Sequence, residues 1–297
     1  MKAIENTSQR HFAPSELVCK PDGSIYHLGL HPDQIADTLL IAGDPARVES
    51  IAQRFDSVEH RVANREFVTL TGRIGEQRIS ALSTGIGTDN IDIVLNELDA
   101  LRNIDLANRV ERKERRPLRI VRIGTSGALN ADIDVGSFVH SAYAIGLDGV
   151  MHFYNGQFEA DEVELLEAYR AHCQWSIGGF SPYAVRGSRA AGALFQEGFV
   201  QGITATACGF YGPQGRALRI APSFPELNER MGSFSFHGIP MANYEMESSA
   251  LFALGGLLGH ECTTVCLIIA NRQKGAFLED YKPRMQVLID KVLERVL

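Results

Sequence analysis

The sequence has no long hydrophobic run, no surplus of basic residues, no even set of cysteines and no familiar phosphate-binding loop, and each absence removes a class of function. Its most apolar stretches, such as 250–258 and 265–270, fall well short of the ~20 residues that a membrane-spanning helix needs. Residues 1–11 are polar and lack the apolar centre of a secretory signal, so a cytoplasmic protein is expected. A net charge of −7 speaks against a general binder of nucleic acid or of anionic membrane, because such surfaces need excess basic groups to displace counterions. A small anion remains open as a ligand, since a few buried arginines suffice for one. The cysteines Cys19, Cys173, Cys208, Cys262 and Cys266 are odd in number and scattered, as expected of free thiols in a reducing compartment. No Gly-x-x-x-x-Gly-Lys-Ser/Thr loop occurs, and no Gly-x-Gly-x-x-Gly follows the first predicted strand.

What is present is a steady alternation. Short β-branched or apolar runs at 38–41, 78–82, 118–123, 137–145, 202–207 and 263–270 predict strands. Helices are expected at 89–103, 161–172, 248–258 and 280–297. In the first of these, Ile91, Val94, Leu95, Leu98 and Leu101 share one face, and Thr88 or Asp89 is available as N-cap. The helix at 248–258 is apolar on nearly every face and is expected at the centre of the fold. The pattern predicts an α/β protein, a three-layer sandwich with a central mixed β-sheet flanked by helices. Glycine and proline are spread throughout and nothing resembles a linker, so one domain is expected over 23–297, preceded by an N-terminal arm over 1–22.

Three of the predicted strands run into glycine-rich turns, Ala42-Gly43-Asp44-Pro45, Ser83-Thr84-Gly85-Ile86-Gly87 and Gly124-Thr125-Ser126-Gly127. Open α/β sheets bind ligands at such strand ends. Arg47, Arg65 and Arg122 stand near small residues, and Arg122 lies inside an apolar run, where burial is costly unless an anion pairs with it. Singly, each reads as a surface or carboxylate-paired side chain. Together, guanidinium forks, a hydroxyl and glycine N–H groups match the oxygens of inorganic phosphate. The acidic counterpart is Glu245-Met246-Glu247, read as the end of a strand, where residues two apart project to one side. One carboxylate can accept hydrogen bonds from the two vicinal hydroxyls of a ribose. Equally, a glutamate at a helix start can satisfy backbone N–H groups. The basic run at 112–117 carries a glutamate and reads as a solvated connecting loop.

Taken together these residues resemble the nucleoside phosphorylases, and among them the uridine-cleaving branch, in collinear order from Tyr26-His27-Leu28-Gly29-Leu30 to Ile269-Ala270-Asn271-Arg272. The resemblance implies reversible phosphorolysis of uridine to uracil and ribose 1-phosphate in pyrimidine salvage, with inorganic phosphate as co-substrate and neither organic cofactor nor catalytic metal. It implies a phosphate site of Gly43, Arg47, Arg122 and Thr125, completed by Arg65 from a neighbouring subunit, and hence a homodimer at least, with a hexamer also open. Ribose would lie against Thr125, Met246 and Glu247, with the neighbour's His27 near the 5′ hydroxyl. A structural monovalent cation would sit at Glu66, the Ile86 carbonyl and Asn90.

The base is assigned by the same resemblance to the segment Gly209-Phe210-Tyr211-Gly212-Pro213-Gln214-Gly215-Arg216, with Phe210 packing on uracil while Gln214 and Arg216 read its edge. A glutamine amide both donates and accepts, matching N3–H beside O2, whereas arginine only donates, matching O4. Asn271-Arg272 stands where purine-cleaving relatives carry Ser-Asp, and Arg272 would support the O4 region. Arg122, Gln214 and Arg216 would carry catalysis, phosphate attacking C1′ while charge gathers on the departing base. The sequence departs from the family pattern in the Gly212-Pro213 order, in Gly215, Ser126 and Asn90, and in a long 107–118 segment. A nucleosidase or a purine nucleoside phosphorylase on the same fold is the alternative enzyme, and a non-catalytic nucleoside-binding protein the alternative of another class.

Overall fold

The computed structural model describes residues 1–3 and 10–297; the 4–9 part of the expected arm lies outside the described residues. Among the described residues, twelve strands join one sheet: β1 (Thr38–Ala42), β2 (Ser57–Asn64), β3 (Phe67–Ile74), β4 (Gln77–Ser83), β5 (Arg119–Ala128), β6 (Phe138–Leu147), β7 (Tyr183–Arg186), β8 (Val200–Ala207), β9 (Ser235–Phe236), β10 (Ile239–Glu245), β11 (Glu261–Asn271) and β12 (Ala276–Phe277). Around it pack α1 (Pro45–Ala52), α2 (Thr88–Asn103), α3 (Ala160–Cys173), α4 (Ser248–Leu258) and α5 (Lys282–Val296). The sheet is mixed: β1 runs parallel to β4 and β5, whereas β2, β3 and β4 are antiparallel neighbours.

The period of two along each central strand builds the layers. In β1, Leu39 and Ile41 face one core and Leu40 and Ala42 the other. The first core is closed by Ile91, Val94, Leu95 and Leu98 of α2 and by Ala250 to Leu254 of α4. On the opposite face lie Val48 and Ile51 of α1 and Leu288, Ile289 and Val292 of α5. Every residue of α4 from Ser248 to Gly255 is buried, as its unbroken apolar sequence requires. A central mixed sheet flanked by helices is therefore present, and all the predicted strands and helices have counterparts in it.

Four features differ from expectation. First, Gly124 to Gly127 is not a turn: β5 continues through it, because Thr125 to Gly127 keep their ladder to β11. Second, β10 pairs both with β8 and, through Asn243 and Tyr244, with β5, so β5, β11, β6, β8 and β10 close a ring within the sheet. Third, α2 begins one residue earlier than predicted, and its N-cap is Gly87 at φ 102°, neither Thr88 nor Asp89. Fourth, the β2–β3 hairpin and α1 were not anticipated; β2 is largely exposed and lacks apolar alternation, and α1 starts inside the first glycine turn, where Asp44 accepts a 2.9 Å hydrogen bond from the Ala46 N–H. The 112–117 run is exposed, as a solvated loop should be. No helix among the described residues is long and apolar enough to cross a membrane.

β7 packs tightly against β6. Tyr183 of β7 stands opposite Gly146 of β6, and a Cβ at Gly146 would lie 2.3 to 2.8 Å from three carbons of the tyrosine ring. The ring cannot withdraw, since its hydroxyl donates to Asp148 at 2.8 Å and touches Ser249 Oγ at 3.1 Å. Gly146→Ala is therefore expected to destabilise the fold by roughly 1–3 kcal/mol through overpacking. Urea unfolding should show a lower midpoint at unchanged slope; an unchanged midpoint would contradict this packing.

Candidate active site

Arg122 sits in mid-strand, in register with Ile41 of β1 on one side and Thr264 of β11 on the other, and its side chain is only 5% exposed. Its Nη1 lies 3.1 Å from Glu245 Oε2 and donates to Cys266 Sγ at 3.6 Å, while Nη2 donates to Glu247 Oε2. Its Nε is buried without a partner. Burial works against the charged form, but the carboxylates of Glu247 and Glu245 outweigh it and raise the arginine pKa. Glycine at 124 makes this arrangement possible: a Cβ there would stand 2.4 Å from Nη1 and 2.9 Å from Cys266 Sγ. Burial also pushes the Cys266 thiol up to about 11, so it stays protonated beside the guanidinium.

Both glutamates satisfy backbone N–H groups at helix starts, one of the two roles that the sequence left open. Glu245 ends β10 and caps the start of α4, accepting from the Glu247 N–H at 2.9 Å, the Ser248 N–H at 3.0 Å and Thr206 Oγ1 at 2.6 Å. Glu247 is itself the N-cap residue of α4, with φ −138° and ψ −28°, and its Oε1 accepts from the Gly87 N–H at 2.8 Å. The pair thus does not converge through strand periodicity. The chain has already left the extended conformation, and both carboxylates turn toward the same buried cation. Desolvation dominates at Glu247 and raises its pKa, against the lowering effect of Arg122.

Arg47 rises from the first turn of α1 toward the same place, 8% exposed, and its Nη1 donates to the Ile123 carbonyl at 3.1 Å. Its carbonyl partner is the residue after Arg122, and burial, then the like charge of Arg122, lower its pKa. Gly43 packs against the second glycine turn, where its Cβ would stand 3.0 Å from the Gly85 carbonyl oxygen. Thr125 of β5 and Met246 before α4 are half-buried. Arg47, Arg122 and Glu247 are thus supplied by the first turn of α1, the middle of β5 and the β10–α4 junction, with Gly43 just after the end of β1.

Arg65 and His27 are not part of that cluster in this chain. Arg65 is exposed on the turn between β2 and β3 at φ 54°, with its guanidinium 5.6 Å from the Tyr26 ring. His27 lies beside it: the neighbouring Asn64 amide donates to the His27 carbonyl at 2.5 Å. The His27 ring is held through Nδ1 by Glu97 Oε1 at 2.7 Å, and the same carboxylate accepts the N–H groups of His27 and Leu28. Both residues therefore share one exposed surface. Glu66 and Asn90 flank Gly85, and the Asn90 amide donates to the Ile86 carbonyl at 3.3 Å.

The 209–216 segment forms a separate unit at the end of β8. Gln214 is buried, and its Oε1 accepts from Arg216 Nη1 at 2.6 Å. The Arg216 guanidinium lies 3.6 Å from the centre of the Phe210 ring, whose other surroundings leave it half exposed. Burial, then the nearby charge of Arg272, lower the Arg216 pKa. Arg272 donates to the Gln214 carbonyl, which also accepts from Asn228 Nδ2 at 3.0 Å. Gly215 is required twice over, by φ 68° and because its Cβ would stand 2.5 Å from the Asn228 amide. Among the described residues no group of three or more His, Cys, Asp or Glu could hold a metal ion.

Sequence reasoning placed Gly87 in a ligand-binding glycine turn but passed over the positions of Cys266 and Glu97. Of these two only Glu97 had a readable signal, an acid beside the apolar stripe of α2 where no surface residue belongs.

Comparison with known proteins gives a consistent picture. The profile of the phosphorylase superfamily matches residues 37–294. A protein of Treponema pallidum named uridine phosphorylase is 31% identical over 256 residues, 84% of this chain and 84% of its own length. One of Thermococcus kodakarensis with the same name is 28% identical, over 90% of this chain and 84% of its own. Among solved structures, a Trypanosoma brucei nucleoside phosphorylase described as showing uridine phosphorylase activity superimposes with a TM-score of 0.86 at 27% identity, covering 94% of this chain and 99% of that one.

Removing the central cation tests the cluster. Arg122→Met leaves Glu245 and Glu247, both at most 5% exposed as side chains, without their counter-charge, and a loss of roughly 3–5 kcal/mol is expected near pH 8. In the variant the native state holds its protons more tightly than the unfolded chain, so stability falls as pH rises through the unfolded carboxylate range and toward the raised native value. The deficit against wild type should therefore shrink as pH is lowered toward 5 in denaturant titrations; a deficit that is constant with pH would show that the carboxylates are not what Arg122 neutralises.

Proposed function

The chain belongs to the phosphorylase superfamily, and we propose that it catalyses the reversible phosphorolysis of uridine to uracil and ribose 1-phosphate, a reaction of pyrimidine salvage. The observation that carries this reading is the meeting of two buried guanidinium groups, Arg47 and Arg122, beside Glu247, with the buried Nε–H of Arg122 lacking an acceptor. An unsatisfied buried donor costs about 1–3 kcal/mol, and an oxygen of inorganic phosphate relieves that cost. Phosphate is accordingly assigned to Gly43, Arg47, Arg122 and Thr125.

Charge counting supports a shared site. Arg122 is paired with both Glu245 and Glu247, and Arg47 stands in the field of Asp44, so the acids around the pocket offset its two arginines and a phosphate dianion needs a further cation. Arg65 and His27 lie together on an exposed surface, where a second copy would bring Arg65 to the phosphate and His27 to the ribose 5′ hydroxyl. We assign the active form to a homodimer at least. Glu66, the Ile86 carbonyl and Asn90, grouped around Gly85, are the candidate ligands of a structural monovalent cation.

Ribose is assigned to Thr125, Met246 and Glu247. The Glu247 carboxylate accepts hydrogen bonds from the diol, and its charge favours the oxocarbenium-like sugar that forms as the glycosidic bond lengthens. Phosphate, oriented by the arginines, adds to C1′ as the bond to N1 breaks and its electron pair leaves with uracil. Phe210 packs on the base, and Gln214 and Arg216 take up the negative charge collecting on it. Arg272, which grips the Gln214 carbonyl, positions that amide. Similarity to enzymes named uridine phosphorylase, together with this base segment, favours uridine over purine nucleosides.

Base release from uridine, thymidine, cytidine and inosine, each with and without phosphate, tests the reading. Phosphate-dependent release of uracil with formation of ribose 1-phosphate is expected. Free ribose formed without phosphate would make the protein a nucleosidase, preferential cleavage of inosine a purine enzyme, and binding without turnover a nucleoside-binding protein. Arg216→Met should lower kcat by about 10²–10³, as loss of a charge-stabilising donor does, with a smaller change in KM. Equal losses in turnover and binding would remove Arg216 from the transition state.

A further inference from the structure

Glu247 has two partners that belong to different halves of the proposed reaction. Its Oε2 accepts from Arg122 Nη2, on the phosphate side, while the same carboxylate is the acceptor assigned to the ribose diol. The Nε and Nη2 of an arginine form the edge that matches two oxygens of a phosphate. On Arg122 the Nε is free and buried, but Nη2 is engaged by Glu247. An oxyanion can use that whole edge only if Glu247 loosens its hold.

The other carboxylate is in no position to yield. Glu245 is tied to Thr206 Oγ1 and to the N–H groups of Glu247 and Ser248, and moving it would uncap α4. Glu247 leans instead on the Gly87 N–H, at a glycine of φ 102° in the loop before α2. Of the two acids, Glu247 is the one that can turn from the arginine to a hydroxyl pair.

We infer that Glu247 couples the two subsites: a sugar with free 2′ and 3′ hydroxyls draws the carboxylate away from Arg122 Nη2, opens the Nε–Nη2 edge to the oxyanion and lowers the negative charge that phosphate meets. Phosphate then binds tightly once the diol is in place, and by linkage phosphate tightens the nucleoside equally. A 2′-deoxynucleoside, offering one hydroxyl to the carboxylate, releases Arg122 less completely. Discrimination between ribose and 2′-deoxyribose is therefore expressed in the affinity for phosphate as well as in sugar binding. This inference rests on the phosphorolysis reading and adds to it a preference for ribonucleosides and its physical origin.

Calorimetric titration of the full chain with inorganic sulfate, a tetrahedral dianion that does not consume nucleoside, tests the coupling. Saturating uridine should tighten sulfate by at least about fivefold, the lower end of ordinary coupling between sites, and 2′-deoxyuridine by a smaller factor. Sulfate should tighten uridine by the same factor, a check made wholly on the wild-type protein. Glu247→Gln should bind sulfate more tightly than wild type without nucleoside, and uridine should then add nothing. Sulfate affinity that uridine leaves unchanged or weakens in wild type, or an undiminished uridine effect in Glu247→Gln, overturns the inference. Failure of the phosphorolysis reading is distinguishable, because it would appear as absence of phosphate-dependent uracil release in the wild-type protein, whereas release without coupling overturns only the role given to Glu247.

Discussion

Arg122 carries a positive charge into the buried middle of the sheet, and much of the surrounding architecture follows from holding it there. Desolvating a guanidinium is expensive, and mutual attraction repays it only when geometry is close and the remaining donors are met. Two carboxylates have to reach it, and both come from the junction of β10 and α4. That junction is brought over the end of β5 by the ladder of Asn243 and Tyr244 to Ala128 and Gly127, the same pairing that closes the ring of strands. Gly124 clears the path of the side chain, and Gly87 supplies the N–H that anchors the second acid. Ring closure, helix start and charged cluster are thus one construction.

The candidate site divides into parts of different burial. Arg47, Arg122, Glu245 and Glu247 are buried between the two cores, on the first turn of α1, in mid-β5 and at the β10–α4 junction. The 209–216 segment, apart from the buried Gln214, and the hairpin bearing Arg65 reach the surface, held by Arg216 on Phe210, Arg272 and Asn228 on the Gln214 carbonyl, and Asn64 on the His27 carbonyl. Such a division suits a reaction in which two substrates have to enter and two products leave. The charged centre is buried, whereas Phe210, Tyr211 and the turn bearing Arg65 are accessible.

Much of the fold was legible because periodicity of burial is written directly into the chain. The strand at 38–41 and the helix at 248–258 were readable for this reason, and the latter was placed at the centre by its apolar sequence alone. The hairpin of β2 and β3 was not, since β2 is mostly exposed and its side chains obey no alternation. The glycines at 124 and 127 looked like a turn because glycine usually marks one. Here the strand runs on through both, and Gly124 serves the close approach of the Arg122 side chain. Arg122 was singled out correctly by the cost of burying it, whereas Cys266 carried no mark of its position beside the guanidinium.

By itself the sequence determined the layered α/β class, the apolar α4, the set of arginines and the acidic segment before that helix, because each depends on residue type and local spacing. Both acids pair with Arg122, and only the tertiary structure decided which of them also caps α4 with its side chain, since Glu245 and Glu247 differ by two positions and by nothing in their chemistry. Their fates separate because Thr206 and the first N–H groups of α4 lie within reach of one, and the Gly87 N–H within reach of the other. It was likewise the structure that placed Arg65 and His27 together on an exposed face, apart from the cluster of Arg47 and Arg122. Distances between residues remote in the chain follow from how the strands register and close, and no local pattern encodes them.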